Sequence, residues 1–89
     1  MDIVEIEWAE GAREKVITKH QLDPEEVEDS LFEPGVRVQR GHSGRYLLWA
    51  QTPAGAYVLV VFEYNKGTAV VLTARRMTEA ERRRFREWR

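Results

Sequence analysis

The carboxyl-terminal part of the chain is rich in side chains that bind phosphate. Arginine stays protonated at neutral pH, and its planar fork of N–H groups matches the oxygens of a phosphate. Residues 35–89 carry eleven basic against four acidic residues, whereas residues 1–34 carry three basic against eleven acidic residues. This asymmetry predicts a basic face for phosphates or for an acidic partner, with a solvated helix surface as the alternative. The last fifteen residues alone contain seven arginines: Arg75, Arg76, Arg82, Arg83, Arg84, Arg86 and Arg89.

Few other residue types in this chain can perform chemistry. Cysteine is absent, which excludes a disulfide framework, a thiolate zinc site, an iron–sulfur cluster and a cysteine nucleophile. Two histidines are present, His20 and His42, and they show no spacing typical of metal ligands. His20 falls on the apolar side of a predicted helix, so it is a candidate either for a structural role or for an active site. We expect neither a metal nor another cofactor.

Length and hydropathy indicate the class of protein. The 89 residues suffice for one domain, and no repeat or linker divides them. No apolar run approaches the length of about 18 residues that a membrane span needs, and the amino-terminal residues lack the basic and apolar regions of a signal peptide. We therefore expect a single domain over residues 1–89 and a soluble, cytoplasmic protein that does not bind a membrane.

The amino-terminal third is predicted to form a strand followed by two helices. Residues 2–8 alternate in the way of a half-exposed strand, and residues 9–20 have the spacing of an amphipathic helix. A second helix begins at the N-cap Asp23 and ends before Pro34. The residues expected to face the core are Val4, Ile6 and Trp8 of the strand, and Val27, Leu31 and Phe32 of the second helix.

Four strands and a helix complete the predicted fold. The last two strands are joined in a hairpin by Asn65-Lys66-Gly67. Thr78 and Glu81 have the spacing of a capping box that opens a final helix ending at Trp88. The order β-α-α-β-β-β-β-α predicts an α+β domain whose antiparallel sheet is packed by helices. The strands are expected over residues 36–40, 45–51, 56–64 and 68–74.

The final helix and the strand before it carry charges at informative positions. Helical spacing places Glu81 and Arg84 on the apolar side of the helix. Such a pair is either structural or orients arginines at the rim of a site. Arg75 and Arg76 follow a strand, so their side chains are expected on opposite faces of the sheet, one of them toward the first helix or a site. The outward side of the helix is expected to carry Arg82, Arg83 and Arg86.

A set of short motifs is distributed over nearly the whole chain: Ile6-Glu7-Trp8, Lys19-His20, Glu25-Glu26-Val27, Gly44-Arg45-Tyr46 and Val58-Leu59-Val60-Val61. The strongest is Leu72-Thr73-Ala74-Arg75-Arg76-Met77-Thr78 followed by Glu81-Arg82-Arg83. Each motif alone is short. Together they resemble the BrnT family of bacterial toxins, which share the RelE-like ribonuclease fold.

This resemblance implies a toxin that cleaves RNA without a metal and is neutralised by a small ribbon-helix-helix antitoxin. Such cleavage needs a base for the 2′-hydroxyl, donors for the charge on the phosphorane and an acid for the leaving oxygen. The candidates for catalysis are Lys19, His20, Arg45, Arg75 and Glu81. Arg75 could instead be only a structural ion-pair partner of Glu81. The residues expected to bind RNA are Tyr64, Arg76, Arg82, Arg83 and Arg86.

The sequence departs from the pattern of the family at several positions. Gln21 and Ala50 stand where glycine is usual, and Phe85 stands where tyrosine is usual. The basic residue that usually precedes the apolar run of the last strand is missing. Two other interpretations therefore stay open. One is a catalytically silent RelE-like domain that binds a partner protein or nucleic acid, and the other is a small structural or regulatory domain outside the family.

Overall fold

The computed structural model describes residues 1–88 and contains five strands and three helices in the predicted order. The α+β class predicted from the sequence is confirmed. None of the helices within residues 1–88 has the length and apolar character needed to cross a membrane. The elements are β1 (Glu5–Trp8), α1 (Ala12–Thr18), α2 (Pro24–Ser30), β2 (Arg37–Arg40), β3 (Arg45–Gln51), β4 (Tyr57–Asn65), β5 (Thr68–Arg76) and α3 (Glu79–Trp88).

The strands form one mixed sheet in the order β1-β5-β4-β3-β2. Strands β2 to β5 pair antiparallel, as the hairpin signals predict. In contrast to the antiparallel sheet that the sequence predicts, β1 is parallel to β5, with Trp8 opposite Val71. A parallel neighbour requires a crossover connection, and the chain between β1 and β5, with its two helices, provides it. Lys66 and Gly67 form the turn between β4 and β5 with positive φ angles of 48° and 90°, as tight hairpin turns require.

Helices α1 and α2 cover one face of the sheet and form the larger hydrophobic core with it. The indole N–H of Trp8 donates a hydrogen bond of 2.7 Å to the carboxylate of Glu28, which connects β1 to α2. The largest fully buried members of this core are Val16 and Val27 of the helices and Leu48, Val58, Val60, Phe62 and Val71 of the strands.

Helix α3 covers part of the opposite face. Its Phe85 is buried against Trp49 and Leu59. The rings of Trp49 and Trp88 meet edge to face with centroids 5.1 Å apart, and those of Tyr57 and Phe85 do the same at 6.1 Å. Helix α3 begins directly after β5, and its Trp88 lies over Trp49 of β3. The helix therefore crosses the strands, and its two sides face different parts of the molecule.

The start of β1 differs from the sequence prediction. The amide groups of Val4 and Glu5 both donate to the carbonyl of Gly67, at 2.7 and 3.1 Å. Since two successive residues share one partner, the alternation of side chains shifts by one residue, as in a bulge. Ile3 therefore packs against the core and Val4 is 82% exposed, so the prediction that Val4 faces the core is wrong.

The helices also differ from the prediction at particular residues. α1 is shorter than residues 9–20 because Gly11, with a left-handed φ of 77°, precedes its first turn. α2 ends at Ser30, so the helical spacing that predicts Phe32 on the buried side does not apply to it, and Phe32 is 57% exposed. Arg84 is exposed rather than on the buried side, because its neighbour Phe85 is the residue that α3 presents to the sheet.

Candidate functional site

The register of the strands assigns each candidate residue to one of two ends of the sheet. At one end β5 finishes at Arg76, opposite Val58 of β4; we call this the Arg76 end. At the other, the Thr68 end, β5 begins at Thr68 opposite Asn65. A strand rises about 3.3 Å per residue, so the two ends of β5 lie roughly 26 Å apart. Residues that act on one phosphate must therefore lie at the same end.

Arg75 and Glu81 form a bidentate ion pair at the Arg76 end. The Nη1 and Nη2 groups of Arg75 donate to Oε1 and Oε2 of Glu81 at 2.8 and 2.9 Å. Oε1 of Glu81 also accepts the amide of Thr78 at 2.8 Å, and the hydroxyl of Thr78 accepts the amide of Glu81 at 3.2 Å. These last two bonds form the predicted capping box. Together the four bonds fix the end of β5 to the first turn of α3.

This pairing changes the ionisation of both groups. Hydrogen bonds from the Arg75 guanidinium lower the pKa of the Glu81 carboxyl from its ordinary value of 4.5 to about 2, against the opposing effect of burial. The hydrogen bond to Glu81 raises the pKa of Arg75. Glu81 is therefore ionised at neutral pH, and a carboxylate of such low basicity is poorly suited to remove a proton. In the structure its carboxylate holds the guanidinium of Arg75.

Arg75 keeps N–H groups for a further contact while Glu81 holds it. A guanidinium has five N–H donors. Three are engaged in the structure, two by Glu81 and one by the carbonyl of Arg76 at 3.1 Å. The side chain of Arg75 is 41% exposed. The structural ion pair and a contact with an anion are thus compatible roles for the same residue.

Three further arginines gather at the Arg76 end. The Nη2 group of Arg76 donates to the carbonyl of Gln21 at 3.2 Å, so this side chain points toward the end of α1, away from α3. The guanidinium groups of Arg82 and Arg86 lie 4.8 and 5.9 Å from the ring centroid of Tyr57, within the range of cation–π contacts. Two separate elements therefore supply positive charge to this end of the sheet.

Lys19 and His20 follow α1 and lie next to the residue that Arg76 contacts. Lys19 is exposed and His20 is half-buried. Their amides both donate to the carbonyl of Lys15, at 2.8 and 3.3 Å. The next residue, Gln21, has a φ of 54°, in the left-handed region that favours glycine. This conformation is a physical reason for the glycine that is usual after the Lys-His pair.

Arg45 and Tyr64 lie at the Thr68 end, apart from the other candidates. Arg45 on β3 is opposite Glu63 of β4, whereas Arg75 on β5 is opposite Leu59 of β4. The two arginines are thus four residues and two strands apart, which places their Cα atoms at a distance of roughly 16 Å. The hydroxyl of Tyr64 donates to the carbonyl of Asp2 at 2.7 Å, and its ring packs against the main core. In the structure these two residues therefore lie apart from the cluster around Arg75.

The remaining candidates from the sequence are Arg83 and His42. Arg83 is exposed on α3. The carbonyl of His42 accepts the amide of Arg45 at 3.1 Å, so His42 lies at the Thr68 end and His20 at the other. The structure does not bring the two histidines together. Within residues 1–88, no group of three or more His, Cys, Asp or Glu side chains is arranged to hold a metal ion.

Tyr57 is a functional candidate that the sequence motifs do not indicate. One side of its ring packs on Phe85, and two guanidinium groups lie over it. The signal in the sequence is its position as the first residue of β4, directly after a turn, where a side chain reaches the end of the sheet. A similar contact occurs further along α3, where the guanidinium of Arg37 lies 4.5 Å from the ring centroid of Trp88.

The fold can be compared with known proteins at this point. No protein-family model matches the sequence, and no curated protein matches it. Among solved structures, the crystal structure of the Brucella abortus ribonuclease toxin BrnT matches with a TM-score of 0.69 and 22% sequence identity. The chain shares the fold of BrnT. The match covers 85% of this chain and 99% of the BrnT chain, so the resemblance to BrnT predicted from short motifs is confirmed at the level of the fold.

Proposed function

We propose that this protein is the toxin of a type II toxin–antitoxin system and that it cleaves RNA through the 2′-hydroxyl without a metal ion. The observation that carries the proposal is the cluster of arginines at the Arg76 end of a fold shared with the ribonuclease toxin BrnT. Guanidinium groups bind the phosphates of RNA and stabilise the extra negative charge of the phosphorane. The proposed cytoplasmic location follows from this substrate.

The proposed roles follow from the contacts of each side chain. Arg75, held by Glu81, donates its free N–H groups to the phosphorane oxygens. Lys19 and His20, beside the carbonyl that Arg76 contacts, are the candidates for proton transfer to and from the reacting oxygens. The RNA contacts at this end come from Arg76, Arg82 and Arg86, with Arg83 adding non-specific attraction.

The two candidates at the Thr68 end have a different proposed place. Arg45 is exposed, and its distance from Arg75 suits another phosphate of the same strand rather than the one that is cleaved. Tyr64 is half-buried, so its proposed contact with a base is limited to the exposed edge of its ring. The proposal thus places the reaction at the Arg76 end and extends the RNA along the sheet.

The proposed protein partner is a small antitoxin of the ribbon-helix-helix type, as the family resemblance implies. The experiment that tests the toxin proposal is induced expression of the chain in bacteria, alone and together with a ribbon-helix-helix protein encoded beside it. We expect growth arrest from the chain alone and normal growth when both are expressed. Normal growth in both cultures, with the protein present in the cells, would contradict the proposal and favour the catalytically silent domain.

The ribonuclease proposal has its own test in purified protein. Wild type and the variant Arg75→Ala, purified in the same way, are incubated with RNA in the presence of EDTA. We expect fragments from the wild type and far fewer from the variant, which controls for contaminating ribonucleases. Equal fragmentation by both proteins, or cleavage that appears only after magnesium is added, would contradict the proposed chemistry.

A further inference from the structure

A cavity opens between the last turn of α3 and the start of β2. Its volume is about 330 Å³. This lies within the ~300–1,000 Å³ typical of sites for small organic ligands. Its walls combine apolar side chains and aromatic rings with one guanidinium group. The lining residues are Gly35, Val36, Arg37, Phe85 and Trp88.

The cavity brings an aromatic ring together with an unpaired guanidinium. The guanidinium of Arg37 lies 4.5 Å from the ring centroid of Trp88. Arg37 is exposed, and within residues 1–88 its guanidinium makes neither a hydrogen bond nor a salt bridge. Its five N–H groups are therefore available to a ligand. Tryptophan rings and guanidinium planes are surfaces on which proteins stack the bases of single-stranded RNA.

The aromatic wall of the cavity is held in place by the sheet. The ring of Trp88 meets that of Trp49 edge to face, with centroids 5.1 Å apart. The indole N–H of Trp49 donates in turn to the amide oxygen of Gln39 at 2.9 Å. Phe85, which lines the cavity beside them, is buried. A wall that is ordered before binding lowers the entropy cost of binding.

The cavity and Arg75 lie at opposite ends of α3, on the same face of the sheet. The strand register aligns one residue from each of four neighbouring strands in a row: Arg37, Trp49, Leu59 and Arg75. Neighbouring strands lie about 4.8 Å apart, so the Cα atoms of Arg37 and Arg75 are roughly 14 Å apart. Both side chains contact α3, one at its last residue and the other in its first turn. One RNA strand that follows α3 can therefore reach both.

From these observations we propose that the cavity binds a guanine base of the RNA through Arg37 and Trp88. The polar side-chain groups of its lining, the guanidinium and the indole N–H, only donate hydrogen bonds. Guanine presents the two acceptors O6 and N7 side by side, which match the paired N–H groups of arginine, whereas adenine presents a donor beside N7. The aromatic and apolar walls favour a flat base over a phosphate. This inference rests on the proposed function and adds a sequence preference to it.

The test of this preference measures binding without cleavage. Fluorescence anisotropy gives the affinities for two 2′-O-methyl oligouridines, one with a central guanine and one with a central adenine. We expect wild type to bind the guanine strand about tenfold more tightly, within the range typical of a bidentate arginine–guanine pair. Arg37→Lys keeps the charge but lacks the planar fork, so its ratio of affinities should fall to about one.

The matched control is Arg40→Lys. Arg40 lies on the same strand, but its guanidinium is 5.7 Å from the ring centroid of Tyr46, which packs against the core formed by α1 and α2. This variant makes the same chemical change on the other face of the sheet and should keep the ratio of wild type. A ratio in Arg37→Lys that equals the ratio in Arg40→Lys would overturn the proposal.

A second measurement separates this inference from RNA cleavage, because it uses guanosine and adenosine, which contain no phosphate. Their binding is followed by the indole N–H signals in NMR spectra, with the signal of Trp8, which is bonded to Glu28, as the internal control. A shift of the Trp88 signal with guanosine that exceeds the shift with adenosine, and that is lost in Arg37→Lys, supports the subsite even in a protein that does not cleave RNA. Absence of a selective shift, together with equal binding of the two oligonucleotides, would overturn the proposal, whether or not the protein cleaves RNA.

Discussion

Substitution of Glu81 by Gln should destabilise the fold in a way that depends on pH. The carboxylate accepts two hydrogen bonds from Arg75, which lower its pKa from 4.5 to about 2. A shift of this size corresponds to at most about 3 kcal/mol of folding free energy. Because the side chain of Arg75 is 41% exposed, solvent screening reduces the expected contribution to about 1–2 kcal/mol.

The sign of the pH dependence follows from the lowered pKa. A carboxyl whose pKa is lower in the folded state stabilises the fold fully above pH 4.5 and loses that contribution as the pH falls toward 2. Glu81→Gln keeps an oxygen that can accept the Thr78 amide but has no charge to lose. The free energies of unfolding of wild type and variant should therefore differ by about 1–2 kcal/mol at pH 7 and converge near pH 2.

The assay is urea denaturation of both proteins at pH 7, 5, 3 and 2. Glu79→Gln is the matched control, since Glu79 lies in the same first turn of α3 and is exposed. It should cost at most about 0.5 kcal/mol through the helix dipole. The reasoning would be refuted if Glu81→Gln cost no more than Glu79→Gln at pH 7, or if its difference from wild type were the same at every pH.

Three further predictions concern activity and stability. Arg75→Ala should lower the rate of RNA cleavage on the order of 10²-fold, as loss of a charge-stabilising donor does, whereas Arg83→Ala should lower it only a few-fold. Both rates are compared on proteins with matching thermal unfolding midpoints, and equal losses would remove Arg75 from the site. Gln21→Gly should raise the free energy of unfolding, measured by urea denaturation, by about 0.5–1 kcal/mol. The reason is that the release of about 1–2 kcal/mol of left-handed backbone strain exceeds the entropic cost of a more flexible unfolded chain, and a destabilised variant would contradict this. Phe62→Ala should cost about 3–5 kcal/mol, since Phe62 is fully buried, and a loss below 1 kcal/mol would show that the core can collapse around the cavity.

The order and type of the elements could be predicted because local signals agree with each other. Asp23 is the N-cap of α2 and accepts the Glu25 amide at 2.9 Å, and the capping box of Thr78 and Glu81 is present as expected. What the sequence could not provide was the side of β1 that faces the core. That depends on one shared carbonyl, Gly67, which lies more than sixty residues away in the chain.

The site could be predicted in composition but not in arrangement. Alternation along β5 correctly separates Arg75 from Arg76. Nothing in the local pattern indicates that Arg45 lies at the far end of the sheet, because its position depends on the register of β3 with β4. The local pattern does not indicate the environment of Tyr57 either, since the two guanidinium groups over its ring come from a helix that crosses the sheet.

The most direct test of the central claim is the cleavage of one RNA oligonucleotide by the purified protein in EDTA, beside the same oligonucleotide with 2′-O-methyl groups. The proposed reaction forms a bond from the 2′-oxygen to phosphorus and releases the 5′-oxygen of the next nucleotide. The account predicts fragments that end in a 2′,3′-cyclic phosphate from the RNA and none from the 2′-O-methyl strand. Intact RNA after prolonged incubation, or equal cleavage of both strands, would contradict it.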